Sequence, residues 1–171
     1  IGFFLYKIFK RILLENTSII IWALFLGGIF LIVFELWHRE KSEAAEDITN
    51  ITYQQSFLIG IFQTVAIIPG VSRAAATILG GLLLGLKRKT IVEFSFLLAA
   101  PTMLAATGYD LLKSGAGFSS NQFGILAIGF SISFLVAILA IKFLLRYIQK
   151  NNFIWFGVYR ILVGLVFMLF F

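Results

Sequence analysis

A short segment, 68-IPGVSRAAATILGGLLLG-85, places a serine and an arginine directly after a Pro-Gly pair in an otherwise apolar stretch. Pro69 cannot continue a helix and Gly70 permits a turn, so a new helix is predicted to begin after them. The first backbone N–H groups of that helix lack partners within it, and the positive end of its dipole lies there. Ser72 suits the N-cap position, and the guanidinium fork of Arg73 matches phosphate oxygens.

Thr77 lies four residues after Arg73, which predicts that its hydroxyl shares the same helix face. Gly70, Ser72, Arg73 and Thr77 therefore predict an anion-binding site at the start of a broken helix. The alternative is a purely structural capped helix in which Arg73 pairs with a buried glutamate. Ser72 alone is not a nucleophile, because a serine needs an activating base. The single histidine, His38, lies in a polar loop.

Glu93 and Arg160 have structural alternatives as well. The segment 90-TIVE-93 has the spacing of a capping box, with Glu93 at its third helical position. In the other interpretation, the Glu93 carboxylate pairs with Arg73 or contributes to the site. Arg160 lies about 10 Å inside the last apolar segment by helical rise, and it is interpreted as a structural residue that snorkels or pairs within the bundle.

The elements that position these residues are apolar helices. The chain has 171 residues, of which only 13% are charged, and a mean hydropathy of +1.00, so an ordinary soluble domain is excluded. The runs 18–37, 91–112, 123–145 and 153–171 are each long enough to cross a bilayer as a helix. We therefore expect an all-α polytopic membrane protein with a single membrane domain over residues 1–171. There is no cysteine, and the net charge of +6 lies in short loops, which indicates membrane topology rather than nucleic-acid binding.

Residues 53–86 form a pair of shorter apolar stretches on either side of the Pro-Gly pair. Each half is too short to cross comfortably, so the sequence predicts a re-entrant helix-loop-helix hairpin that turns near mid-membrane. Thr52 and Gln55 predict a capping box at its start. Gly81 and Gly85 form a GxxxG pair, which indicates close helix packing, with room for a lipid chain as a weaker alternative.

The basic residues predict which side faces the cytoplasm. One side of the predicted bundle carries most of the basic residues, whereas the loop 113–122 on the other side contains only Lys113. Lys7, Lys10 and Arg11 fall on the poorer side and count against using this difference to assign the topology. The richer side is therefore predicted to be cytoplasmic, with the hairpin entering from it. Its basic residues are Arg39, Lys41, Lys87, Arg88, Lys89, Arg146 and Lys150.

The motif PG-x-SR-x-x-A-T at 69–77, EFSFLLA at 93–99 and the pair Tyr159-Arg160 closely resemble the second half of bacterial undecaprenyl-diphosphate phosphatases, the bacitracin-resistance family. The resemblance covers nearly the whole chain. It implies one half of an inverted repeat with two re-entrant hairpins. It also implies a location in the bacterial inner membrane, with the active site open to the outer face.

The resemblance further implies removal of the terminal phosphate of undecaprenyl diphosphate, which recycles the lipid carrier of cell-wall synthesis. The expected catalytic residues are Ser72, Arg73 and Glu93, and the expected substrate-binding residues are Gly70, Ser72, Arg73 and Thr77. Whether Ser72 attacks phosphorus or only holds the substrate stays open. A divalent cation, Mg²⁺ or Ca²⁺, is implied, with most of its ligands outside this chain. A homodimer is a candidate assembly, and no nucleic acid is expected.

Two departures from the family pattern bear on activity. The usual SRSG reads Ser72-Arg73-Ala74-Ala75 here, which removes a hydroxyl. The Glu-rich motif and PxSSxGH loop of the family's first repeat are missing, so the chain is interpreted as the later part of a longer protein and predicted to be inactive alone. The alternative function is a secondary transporter or lipid flippase with a mid-membrane anion site. A non-catalytic subunit is a third interpretation.

Overall fold

The computed structural model describes residues 17–38, 47–114, 120–148 and 151–170. Residues 1–16, which include Lys7, Lys10 and Arg11, and residues 39–46 of the polar loop lie outside the described part. Six α-helices and two short 3₁₀ helices account for the regular structure of the described part. The α-helices are α1 (Thr17–Trp37), α2 (Tyr53–Thr64), α3 (Arg73–Leu83), α4 (Arg88–Ser114), α5 (Ser120–Ile148) and α6 (Ile154–Phe170), and the 3₁₀ helices are Ile48–Asn50 and Val65–Ile67.

Within the described ranges, three helices have the length and hydropathy needed to cross a membrane. They are Thr17–Trp37, Arg88–Lys113 and Phe123–Ile148, and they coincide with the predicted spans 18–37, 91–112 and 123–145. The helix at the predicted span 153–171 is shorter, with 17 residues, which is the lower end of the usual range. The protein is therefore all-α and multi-pass, as the sequence predicts.

Residues 53–86 form a helical hairpin, which confirms the predicted break. The capping box of Thr52 and Gln55 begins α2. Gln55 Nε2 also donates to the carbonyl oxygen of Leu84 at 3.1 Å, so the start of α2 lies beside the end of α3 and the two helices are antiparallel. Gly70 adopts φ 90° in the turn, a conformation that glycine tolerates best.

Close helix packing in the hairpin involves Gly80 and Gly81 instead of the predicted pair Gly81 and Gly85. A Cβ atom on Gly80 would lie 2.5 Å from the ring of Phe62, and one on Gly81 would overlap the side chain of Ile91. Gly80 and Gly81 therefore let α3 approach α2 and α4. Gly85 has open space around it and φ 80°, so its role is to end the helix in the left-handed conformation.

Several helix ends meet around Arg88, one of the residues on the predicted basic side of the protein. Arg88 at the start of α4 forms an ion pair with Glu35 of α1, with Nη2 and Oε1 2.6 Å apart. Its guanidinium also lies 5.1 Å from the ring centre of Phe153, just before α6. Ile148 at the end of α5 joins the same buried cluster as Phe153 and Leu86. These contacts place the ends of α1, α3 and α5 and the starts of α4 and α6 together, as the predicted topology requires.

The turn of the hairpin lies beside the N-terminal part of α1. A Cβ atom on Gly70 would lie 2.6 Å from the carbonyl oxygen of Ile20 and 2.9 Å from Cβ of Ala23. By helical rise, Ile20 and Ala23 lie about 25 Å and 21 Å from Trp37 at the basic end. The turn therefore lies nearer the N-terminal end of α1 than its middle, and its predicted depth near mid-membrane stays a prediction. The 3₁₀ helix Val65–Ile67 lengthens the segment between α2 and the turn, because its rise per residue exceeds that of an α-helix.

Candidate functional site at the hairpin turn

Ser72 caps α3 as predicted. Its backbone is extended, with φ −71° and ψ 121°, and its Oγ accepts a hydrogen bond from the Ala75 N–H at 3.2 Å. The remaining N–H groups of the first turn and the positive end of the helix dipole point toward the bend. The Ser72 hydroxyl keeps its own proton, which it can donate to an oxygen of a bound anion.

Arg73 is half-buried and faces α4. Its Nη1 donates to Oγ1 of Thr102 at 3.4 Å, a long hydrogen bond that leaves most of the guanidinium donors available. Thr102 also donates to the carbonyl oxygens of Leu98 and Ala99, at 3.0 Å each. Across the described residues no carboxylate forms an ion pair with Arg73, so the alternative of a buried Arg–Glu pair is wrong there.

Thr77 lies in the contact between α3 and α4. It is 1% exposed, and its Oγ1 lies 2.6 Å from Oγ of Ser95. The same hydroxyl bonds to the carbonyl oxygens of Arg73 and Ala74, at 3.1 and 3.0 Å. Thr77 thus follows Arg73 on one side of α3, but its hydroxyl is already engaged in helix packing. Its predicted substrate contact stays a prediction.

Glu93 lies away from the turn. Because α4 begins at Arg88, Thr90 is inside the first helical turn and the capping-box interpretation of 90–93 is wrong. α3 and α4 run antiparallel, since Arg73 meets Thr102 at one level and Gly81 meets Ile91 at another. Glu93 is therefore about 13 Å from Thr102 along α4 and does not pair with Arg73. Its catalytic role stays a prediction.

Arg160 reaches the turn, although the sequence interpretation did not place it in the site. Its Nη2 donates to the carbonyl oxygen of Gly70 at 2.7 Å and to that of Ala23 at 3.3 Å. The residue is 8% exposed, so it does not snorkel to a surface of the described bundle. The signal available in the sequence was an arginine within an apolar helix, but its partner, a carbonyl 90 residues earlier, has no sequence signature.

A cavity of about 520 Å³ lies between α1 and the hairpin. Its walls are apolar except for two polar side chains, Ser72 and Arg160, which lie at the bend. A smaller cavity of about 60 Å³ shares both residues. Arg73 lines neither, so the start of α3 presents Ser72 toward α1 and α6 and Arg73 toward α4. The apolar walls that the two cavities share include Leu31, Ala75 and Leu79.

The described residues do not supply a metal centre. They contain no group of three or more histidine, cysteine, aspartate or glutamate side chains arranged to hold an ion. A divalent cation normally takes several oxygen ligands, with carboxylates prominent among them. The implied Mg²⁺ or Ca²⁺ therefore does not fit this part of the chain by itself.

The fold and the site define a class: an all-α multi-pass membrane protein with a broken-helix hairpin whose turn carries uncompensated positive charge in the described part of the chain. The chain belongs to the bacitracin resistance protein BacA family, whose profile matches residues 1–166. The family resemblance drawn from the PG-x-SR-x-x-A-T motif is thereby confirmed.

Three proteins named undecaprenyl-diphosphatase are similar to this chain. The protein from Sulfurihydrogenibium sp. (strain YO3AOP1) is 48% identical over 169 residues, which is 99% of this chain and 66% of the relative. That from Aquifex aeolicus (strain VF5) is 48% identical over 171 residues, covering 100% and 66%. That from Persephonella marina (strain DSM 14350 / EX-H1) is 46% identical over 170 residues, covering 99% and 66%. The chain thus spans just under two thirds of the length of these relatives.

Proposed function

We propose that the full-length protein containing this chain hydrolyses undecaprenyl diphosphate to undecaprenyl phosphate and inorganic phosphate, which returns the lipid carrier to cell-wall synthesis. The observation that carries the proposal is the concentration of positive charge at the hairpin turn. Arg73 lies on the α4 side of the start of α3 and Arg160 on the side of α1 and α6, and no carboxylate of the described residues pairs with either arginine. The name shared by relatives at 46–48% identity supports this substrate.

Arg73 and the start of α3 would bind the terminal phosphate. The guanidinium fork donates two parallel hydrogen bonds to phosphate oxygens, and the free N–H groups of α3 add further donors. Both remain in place as charge develops on the phosphoryl oxygens, so they stabilise the transition state. Ser72 acts here as a ligand rather than a nucleophile, because the described residues place no activating base beside its hydroxyl.

The reaction consumes one water molecule. Its oxygen bonds to the terminal phosphorus, the bond from that phosphorus to the bridging oxygen breaks, and the bridging oxygen leaves with the lipid phosphate. A base must take the water proton, and no histidine lies at the turn among the described residues, since His38 stacks on Phe34 near the basic end. The base and most ligands of the implied divalent cation would come from a part of the full-length protein outside this chain. The isolated chain is accordingly expected to be inactive.

We place the site in the bacterial inner membrane with its opening toward the outer face. The turn lies about 21–25 Å from the basic end of α1 by helical rise, and that end is the predicted cytoplasmic side. This geometry supports access from the opposite face. Labelling of a single cysteine introduced at Val71 with a membrane-impermeant maleimide, in cells with and without permeabilisation, tests this orientation.

The experiment that tests the function is phosphate release from undecaprenyl diphosphate by the purified full-length protein in detergent. We expect release that requires a divalent cation and falls by about 100-fold or more in Arg73→Ala, as removal of a transition-state donor predicts. Absence of release by a folded full-length protein with added cation would refute the proposal. Rapid release by the 171-residue chain alone would refute the dependence on the missing part.

A further inference from the structure

We infer that Arg160 is a positioning residue that fixes the turn between α2 and α3, and with it the start of α3 that carries Ser72 and Arg73. Arg160 lies on α6, yet its Nη2 donates to the Gly70 carbonyl oxygen at 2.7 Å and to the Ala23 carbonyl oxygen at 3.3 Å. One buried side chain therefore joins α6, α1 and the hairpin turn.

The Gly70 carbonyl needs such a donor because it lies in the break between two helices. Carbonyl groups at a break lose their helical partners, and in a membrane they must be satisfied by neighbouring helices or side chains. The turn itself is short, with Val71 N–H bonding to the Ile68 carbonyl at 3.1 Å. A charged donor at 2.7 Å forms a strong hydrogen bond that holds this turn against α1 and α6.

The packing of α1 and α6 is shaped around the Arg160 side chain. A Cβ atom on Gly27 would lie 2.7 Å from Nη2, so a larger residue there would force the end of the Arg160 side chain to shift. Gly28 and Gly157 bring the two helix backbones together, since a Cβ on Gly28 would lie 2.7 Å from the Gly157 carbonyl oxygen. The close approach of the helices aims Arg160 at the turn.

The charge of Arg160 is balanced by carbonyl dipoles alone within the described residues. No carboxylate there pairs with it, and its buried Nε has no hydrogen-bond partner. A neutral donor would satisfy the Gly70 carbonyl at a lower desolvation cost. The retained charge adds to the positive potential at the start of α3, so Arg160 holds the turn in place and favours an anion beside it.

Distances between spin labels test the positioning role independently of activity. Trp22 on α1 and Val65 before the turn are 53% and 49% exposed, so a label can be attached at either position. This chain has no cysteine, so Trp22→Cys and Val65→Cys introduce the only two within it. Any cysteine elsewhere in the full-length protein is replaced first. We expect a narrow distance distribution in the parent and one at least about twice as broad in Arg160→Met, because the contact that fixes the turn is lost. Gly27→Ala, which displaces the guanidinium, should broaden it too, whereas Gly60→Ala, with open space at its Cβ, should not.

The activity readout rests on the proposed function. We expect Arg160→Met to lower kcat for phosphate release by about 100-fold with KM changed less than threefold, as misplacement of binding groups predicts. Arg160→Lys should recover part of this loss, because it keeps a donor and the charge.

Unchanged distances in both Arg160→Met and Gly27→Ala overturn the inference whatever the activity, and so does a broadened distribution with unchanged kcat. If Arg160→Met fails to fold, Gly27→Ala decides. If the parent releases no phosphate, the proposed function fails and the distances alone judge the positioning role.

Discussion

The hydroxyl oxygens of Thr77 and Ser95 lie 2.6 Å apart where α3 packs against α4, and both residues are buried. The pair fixes the register of the two helices, because one level further toward the turn Arg73 meets Thr102. The register in turn sets which side of α3 carries the guanidinium. Thr77 therefore stabilises the packing of α3 on α4 one helical turn away from Arg73, the residue that is proposed to bind the anion.

Removing both hydroxyls of this pair should destabilise the protein by less than the sum of the losses from removing each one alone. Thr77→Val leaves the buried Ser95 hydroxyl without its partner, at a cost of about 1–3 kcal/mol in the free energy of unfolding. The double variant Thr77→Val/Ser95→Ala should lose less than the sum of the single variants. Denaturant unfolding in detergent micelles measures these values.

The control for this cycle is Ser131→Ala on α5, whose exposed hydroxyl bonds to the Ala127 carbonyl at 2.8 Å and should matter little. Strictly additive effects of the Thr77 and Ser95 changes would contradict the coupling. A large loss of kcat in Thr77→Val without loss of stability would instead support a direct contact between Thr77 and substrate.

Changes at Arg73 should separate the guanidinium fork from the charge. Arg73→Ala is expected to lower kcat/KM by about 100- to 1,000-fold, and Arg73→Lys by an intermediate factor, because lysine keeps the charge but loses bidentate bonding. Thr102→Val removes the hydroxyl that Arg73 contacts and should cost less than about tenfold, since that bond is long. Steady-state phosphate release measures all three variants. Activity of Arg73→Lys equal to the parent would show that a point charge suffices.

The Ser72 hydroxyl is expected to act as cap and ligand. Ser72→Ala should reduce stability by about 1 kcal/mol through loss of the N-cap bond to Ala75, while Ser72→Asn should retain the cap. If the hydroxyl also donates to phosphate, both variants should lower activity by about tenfold, and neither should abolish it. Mass spectrometry after acid quenching of a reaction then finds no phosphate on Ser72. A phosphoserine at this position would establish it as the nucleophile.

The parts of the site that depend on local sequence were predictable. Pro69-Gly70 ends one helix because proline cannot continue it, and Ser72 begins the next because its side chain satisfies a free N–H within the same turn. The capping box of Thr52 and Gln55 follows the same logic. The three described spans were predictable because each is a long apolar segment, with mean hydropathies of 2.6, 1.5 and 2.6.

The parts that depend on contacts between distant segments were not predictable. The Arg160–Gly70 bond and the Thr77–Ser95 pair are set by which helices become neighbours, and a single sequence carries no direct record of that. The interpretation of Glu93 failed at a helix boundary: beginning α4 at Arg88 instead of near Thr90 moves Glu93 out of the capping position. Helix boundaries are the least certain part of such a prediction, because they vary by one or two residues with the local hydrogen bonding.

Glu93 should contribute little to turnover if the geometry at the turn decides activity. Its position about 13 Å from Thr102 along α4 places it away from the phosphate that Arg73 is proposed to bind. Glu93→Gln is therefore expected to change kcat/KM for phosphate release by less than about threefold, since no charge contact to substrate is lost. Ser72→Ala under the same conditions provides the comparison at the turn itself. A loss of about 100-fold in Glu93→Gln, with unchanged stability, would restore the predicted catalytic role.

The ion pair of Glu35 and Arg88 should be a main determinant of stability at the basic end. The two side chains are 8% and 16% exposed and their closest atoms are 2.6 Å apart, so breaking the pair leaves a charge with little access to water. Arg88→Met is expected to lower the free energy of unfolding by about 3 kcal/mol, whereas the double variant Arg88→Met/Glu35→Leu should recover most of it, because the buried charge is removed as well. Lys89→Met, at an exposed neighbouring position, is the matched control for loss of a cation. Equal destabilisation of the single and double variants would show that Glu35 is not the partner whose charge matters.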